Sequence, residues 1–216
     1  MEPPLMSRES ILHRVRTALG RLEGEAIADP PDVRLSVPAM EREARIAGVR
    51  RAVEALAGKT HRAANAEKAR TLVSDMLAGR SAVASNAPFL AECGIPNLPG
   101  VAGGFPDGAV LREACASAAV GITSADYALA DTGTLVLLSS REEARMISLL
   151  PPAHIAVVPA GRILTGLDEL FTVLPLPARS TSSMVMITGP SRTGDIEMTL
   201  VRGVHGPGEL TVIVVG

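Results

Sequence analysis

The sequence predicts an α/β fold in which a mostly parallel sheet is flanked by helices. Three observations carry this. From Ser81 onward, short apolar runs alternate with helical stretches, the order that builds sheet-and-helix layers. Those runs are continuously apolar rather than alternating, as in strands covered on both faces. The chain is 47% hydrophobic but only 2% aromatic, so a sizeable core must be assembled from Ala, Val, Leu, Ile and Met.

The N-terminal part reads as helical. Ser7–Leu19 places Ile11, Leu12, Val15, Ala18 and Leu19 at helical spacing and closes at Gly20. Residues 23–38 contain Pro, Asp and Gly with weak periodicity and read as a linker or arm. Met40–Ala57 is a second amphipathic helix stopped by Gly58, and Asn65–Ala78 a third, ended by Gly79. Strands are expected at Ser81–Ala84, Val120–Thr123, Thr134–Leu138, His154–Val158, Met184–Thr188 and Leu210–Val215. Helices are expected at Ala87–Cys93, Asp107–Ser117 and Leu167–Phe171. The chain therefore divides into an N-terminal helical extension and linker, residues 1–60, and an α/β domain, residues 61–216.

Composition narrows the function. With no Trp, one Tyr and three Phe, the chain lacks stacking platforms for single-stranded nucleic acid. A net charge of −2 gives no basic footprint for duplex DNA. Cys93 and Cys115 lie far apart and cannot supply a four-thiolate zinc or iron–sulfur site. No apolar run approaches the roughly 20 residues of a membrane span. The N-terminus lacks the basic flank and apolar stretch of a signal peptide. A cytoplasmic protein facing small molecules is the expectation, with no metal and no bound cofactor. No Walker A sequence, G-x-S-x-G elbow, HExxH or strand-linked GxGxxG occurs.

Two segments concentrate polar chemistry. In Gly121–Thr134, Thr123 and Ser124 follow a strand and are placed to cap a helix starting near Ala125. Asp131, Thr132 and Gly133 then form a turn with side-chain acceptors and a glycine free to adopt positive φ. The second segment is Gly189-Pro-Ser-Arg-Thr-Gly-Asp-Ile-Glu197, followed by Gly203-Val-His-Gly-Pro207. Gly189 and Ser191 sit in a sharp turn after a strand. A helix starting at Arg192 would turn free N–H groups and its positive dipole end toward an anion, joined by the Arg192 guanidinium and Thr193. Two patterns compete over Asp195–Leu200. Its polar–apolar alternation is that of a strand, which would put Asp195 and Glu197 on one face as a carboxylate pair. The turn before it and Gly203 after it suit a helix, which also completes the α/β alternation and is the preferred reading. His205 and Gly206 occupy a glycine-flanked loop. A histidine there can act as acid or base, because its ordinary charge change falls near neutrality, or it can serve as a loop-stabilising hydrogen bond. His154, at a strand start after two prolines, reads as structural.

Taken together, Gly121-Ile-Thr-Ser-Ala-Asp, Asp131-Thr-Gly-Thr134, Gly189–Glu197 and Gly203-Val-His-Gly-Pro207 resemble the LUD domain, most closely its lactate-utilisation protein C type. The likeness covers roughly residues 60–216. Two positions depart from the family: Asp131 stands where Glu is frequent, and Gly194 where Ala is frequent. The second lowers helix propensity by about 1 kcal/mol. The resemblance implies a NagB/RpiA/CoA-transferase-like fold and a role in oxidising L-lactate to pyruvate beside iron–sulfur partner proteins; with no recognisable motif for a flavin or cluster, the chain is read as a non-redox subunit. On that reading the chain holds a small carboxylate or phosphate. Two alternatives stand beside it: an independent enzyme acting on CoA or sugar phosphates, with Glu197 or Asp195 as nucleophile or base and His205 as acid, and a pure assembly protein.

Overall fold

The computed structural model describes residues 8–21, 40–105, 107–194 and 201–216. The chain separates into two units, Met1–Leu35 and Ser36–Gly216. In the first, α1 (Arg8–Ala18) is the helix expected from its apolar spacing, and none of its residues is buried. Residues 23–38, read as a linker, lie outside the described residues.

The second unit opens with α2 (Arg42–Ala55), whose Ile46, Val49 and Val53 are buried in the main core. The division drawn from sequence at residue 60 therefore falls inside this unit rather than at its edge. The next strand, β1 (Lys59–Ala63), has no signal in the sequence: Lys-Thr-His-Arg is too polar to announce a strand, but it is an edge strand, held by parallel pairing with the C-terminal run. α3 (Ala66–Leu77) starts where Asn65 Oδ1 accepts from the Lys68 amide at 2.9 Å and ends on a left-handed residue, Ala78. β2 (Ala82–Ala84), α4 (Pro88–Glu92) and the short β3 (Val101–Ala102) follow. α5 (Gly108–Ser117) is capped by Asp107, which accepts from the amides of Ala109 and Val110.

β4 (Val120–Ser124) does not lead into a helix, and here the structure corrects the sequence reading. The chain passes through Asp126 directly into β5 (Tyr127–Leu129) and β6 (Leu135–Leu138), an antiparallel pair. Thr123 and Ser124 therefore cap nothing. Asp126 fixes the new path by accepting from the Leu138 amide at 2.7 Å. α6 (Arg145–Leu149) then leads to β7 (Ala153–Pro159), β8 (Ile163–Leu164), α7 (Leu167–Val173) and β9 (Met184–Ile187).

A second correction concerns Arg192. No helix starts there: β10 (Arg192–Thr193) pairs antiparallel with β11 (Val201–Arg202), opposing Arg192 to Arg202 and Thr193 to Val201. Backbone bonds from the Ser191 amide to Pro207 O and from the Gly203 amide to Ser191 O extend this pairing. Residues 195–200, including Asp195 and Glu197, lie outside the described residues.

With β12 (Glu209–Val215), the principal sheet has the order β1-β12-β7-β4-β2-β3, every neighbouring pair parallel. A second sheet, β8-β5-β6-β9, is mixed. Alternation along the strands sends side chains to two cores. Ile155, Val157 and Ile213 pack on α3 and α4, while Ala156, Val158, Val212 and Val214 pack on α2 and the second sheet. The expected α/β class with a mostly parallel central sheet is the one observed.

Candidate functional site

The sequence draws its candidates from two segments; the structure distributes the described ones between two cavities and a packed interface. The first cavity, about 260 Å³, lies beside the amino-terminal ends of β7 and β12. Gly189, Ser191, His205 and Gly206 line it, with Thr188 and His154. The hairpin explains the assembly: the backbone bonds at Ser191 lay residues 203–207 beside 189–191, and a Cβ on Gly206 would lie 3.4 Å from that of Ser191. Its polar wall is made of hydroxyls and imidazoles, and no carboxylate is among its described lining residues.

His154 is the residue whose part the sequence understates. Its side chain is buried, its Nε2 lies 2.8 Å from Thr123 Oγ1, and its Nδ1 has no partner among the described residues. Burial pushes its pKa down to about 4, so the ring is neutral near pH 7. An orphaned N–H is costlier than an orphaned lone pair, which places the proton on Nε2, donating to Thr123.

The second cavity, about 640 Å³, sits beyond the carboxyl ends of β4 and β7, where open α/β sheets commonly bind ligands. Of the residues singled out from sequence it contains Ser124 alone. Its chemistry comes from Glu143 and Asp126, which the sequence reading does not single out as site residues. The loop after β6 folds back so that Glu143 Oε2 accepts from Ser85 Oγ at 2.7 Å and from the Ser124 amide at 3.3 Å. Glu143 is 6% exposed, and burial drives its pKa up to about 8 against those two hydrogen bonds. Burial also raises Asp126, opposed by the Leu138 amide and by Arg162. The only sequence signal for this cavity is the polar run Ser139-Ser-Arg-Glu-Glu143 directly after an apolar strand.

Of the other described candidates, Thr123, Asp131, Thr132, Gly133, Arg192 and Thr193 line neither cavity. Thr132 reaches Asp131 Oδ1 and, through Thr134, Thr188, forming a hydroxyl chain with links of 2.7 and 2.8 Å that ends at the smaller cavity. Gly133 packs on α2 at φ +68, where a Cβ would stand 2.8 Å from the Val53 nitrogen. The Arg192 guanidinium donates to Leu56 O, and Thr193 is taken up in the β10–β11 pair.

The LUD domain family model matches residues 46–215 of the chain. The chain belongs to the LUD domain family. Curated relatives include lactate utilization protein C of Halalkalibacterium halodurans, 43% identical over 50% of this chain and 49% of the relative. The namesake in Bacillus subtilis is 41% identical over 44% and 42%. The chain thus matches about half the length of these relatives. Among solved structures, a DUF162 family protein from Deinococcus radiodurans superposes with a TM-score of 0.63 at 22% identity, covering 82% of this chain and 100% of that one. That likeness concerns the fold, and it agrees with a LUD-type α/β architecture. No described helix is long and apolar enough to cross a membrane.

Proposed function

We propose that this LUD domain serves lactate utilisation as a non-redox component, binding a small carboxylate such as lactate or pyruvate in the 260 Å³ cavity. The observation that carries the reading is convergence: Gly189, Ser191, His205 and Gly206, separated by up to 17 positions in the sequence, meet in one cavity. The names of the curated relatives supply the metabolic setting. The wall suits an anion because the Ser191 hydroxyl and the His205 imidazole are available as donors, with no opposing carboxylate among the described lining residues. Ser191 supplies a hydroxyl donor, and His205, exposed at the mouth, supplies a second donor or a proton. His154 stays neutral and holds the back wall through Thr123. On this reading the electrons of lactate oxidation travel through iron–sulfur companions. The two cysteines here are buried in separate cores, where burial raises both thiols.

Titration calorimetry of the full chain with L-lactate, pyruvate and inorganic phosphate tests this. The expected result is saturable binding of a carboxylate that weakens about tenfold or more in Ser191→Ala and in His205→Ala, a loss of about 1.4 kcal/mol. No carboxylate binding by the wild type, or wild-type affinity retained in both variants, would remove the site.

A further inference from the structure

The larger cavity carries chemistry that the carboxylate reading leaves unused. Glu143 Oε2 is already an acceptor twice over, from Ser85 and from the Ser124 amide. Its Oε1 is buried and has no partner among the described residues. On one side Glu143 borders a crevice with Arg145, Ser148 and Val185 that encloses no open volume; on the other it borders the 640 Å³ cavity. Of these two spaces only the larger cavity has room for a ligand, so it is the open space from which a partner for Oε1 would come. Because burial keeps the group protonated near pH 7 and Oε2 is occupied by donors, the proton resides on Oε1. The side chain thus offers a hydrogen-bond donor, and the complementary ligand group is an acceptor. Apolar walls from Ala87, Phe89, Leu138 and Pro159 suit a hydrocarbon body. The charged groups around the site are Asp126, Glu92 and Glu142 against Arg162 in the cavity, with Arg145 behind Glu143, a balance that disfavours an anion.

We propose that this cavity is a second ligand site, separate from the carboxylate site, that binds a neutral carbonyl compound (a ketone, aldehyde or ester) through a hydrogen bond from Glu143 Oε1 to the carbonyl oxygen. Such a bond draws electron density from the carbonyl carbon, as a positioned acid does. Asp126, on the same cavity, is the group that would meet a donor on the ligand.

The test uses the full chain and cyclohexanone labelled with carbon-13 at the carbonyl, observed by NMR, with cyclohexylammonium as the cationic counterpart. The wild type is expected to shift the carbonyl resonance downfield at pH 6.5 and to lose this saturable shift as pH rises through about 8. Glu143→Gln keeps an amide donor and should bind with little dependence on pH; Glu143→Ala should lose binding at both ends. Circular dichroism and thermal unfolding establish that each variant is folded, and the Gln variant retains the test should the Ala variant not fold. Unchanged ketone binding in Glu143→Ala, or wild-type binding that is flat from pH 6.5 to 9, overturns the proposal. So does preferential binding of cyclohexylammonium that strengthens with pH, which would make Glu143 an acceptor for a cation. His205→Ala, which addresses the other cavity, should leave the ketone shift unchanged.

Discussion

Thr123 Oγ1 and His154 Nε2 lie 2.8 Å apart between neighbouring parallel strands, and both side chains are buried. The pair forms a polar seam beside Ala156, Val158, Leu210, Val212 and Val214 on that face of the sheet. The bond holds the imidazole in one tautomer, and burial keeps it neutral at the wall of the smaller cavity.

The burial of His154 makes stability sensitive to acid. The native pKa of His154, about 4, lies below the 6.5 of an unperturbed histidine. For a depressed value, the stabilisation is complete above the unfolded pKa and is lost as pH falls through the native one. The affected window runs from about 6.5 down to 4 and amounts to roughly 3 kcal/mol. Urea midpoints measured across it should fall in the wild type and fall less steeply in His154→Gln, which keeps a neutral donor for Thr123. Equal slopes would assign the acid sensitivity elsewhere.

Glu143 acts in the opposite direction. Its native pKa is raised from 4.5 to about 8, chiefly by burial, so its contribution is complete below 4.5 and declines as pH rises through 8. Up to roughly 5 kcal/mol is at stake, and water entering the adjoining cavity reduces that. Glu143→Gln is expected to be more stable than the wild type at pH 9 and about equal to it at pH 4.5. A variant less stable at pH 9 would mean that the ionised carboxylate is held by partners stronger than Ser85 and the Ser124 amide.

Sequence periodicity reveals the strands and helices that are long or chemically capped. β7 and β12 are seven-residue runs that are mostly apolar, and Asn65 and Asp107 mark their helices by their own hydrogen bonds. β5 and β8 have three and two residues, too few to show a period. β1 owes its strand form to its neighbour rather than to its own residues. At the candidate site, residues 189–191 and 205–206 are legible because polar groups and glycines are crowded where packing has little use for them. The separation of Thr123 from Ser124 is not: adjacent strand residues point to opposite sides, so the first meets His154 and the second lines the other cavity. Glu143 is hidden because its chemistry arises from burial under a folded-back loop.

Gly133, which the sequence places at a ligand, is assigned to packing by its surroundings. At φ +68, a Cβ there would stand 2.8 Å from the Val53 nitrogen and 3.0 Å from Ala52 Cβ, so any side chain is strained and collides with α2. Gly133→Ala should cost about 2–3 kcal/mol in chemical denaturation. Lactate or pyruvate affinity, measured well below the melting temperature, should be unchanged. A folded variant of normal stability that no longer binds would return Gly133 to the ligand site.

Arg192 presents the sharper contrast between a clamp for anions and a structural tie. Its guanidinium donates to Leu56 O at the C-terminal end of α2, where a cation also meets the negative end of the helix dipole. Gly189, three residues earlier, approaches the same Leu56 so closely that a Cβ would stand 2.9 Å from the leucine's own. The segment 189–192 is thus docked on the end of α2, and that docking sets the position of Ser191 at the cavity. Arg192→Ala should lower stability by about 1 kcal/mol, the scale of one exposed hydrogen bond. Arg192→Lys should recover part of that through the dipole alone. Carboxylate binding should change far less than in Ser191→Ala, because the guanidinium is not part of the cavity wall. Calorimetry and thermal unfolding on the same samples separate the two roles. A tenfold loss of affinity at unchanged stability would make Arg192 the clamp.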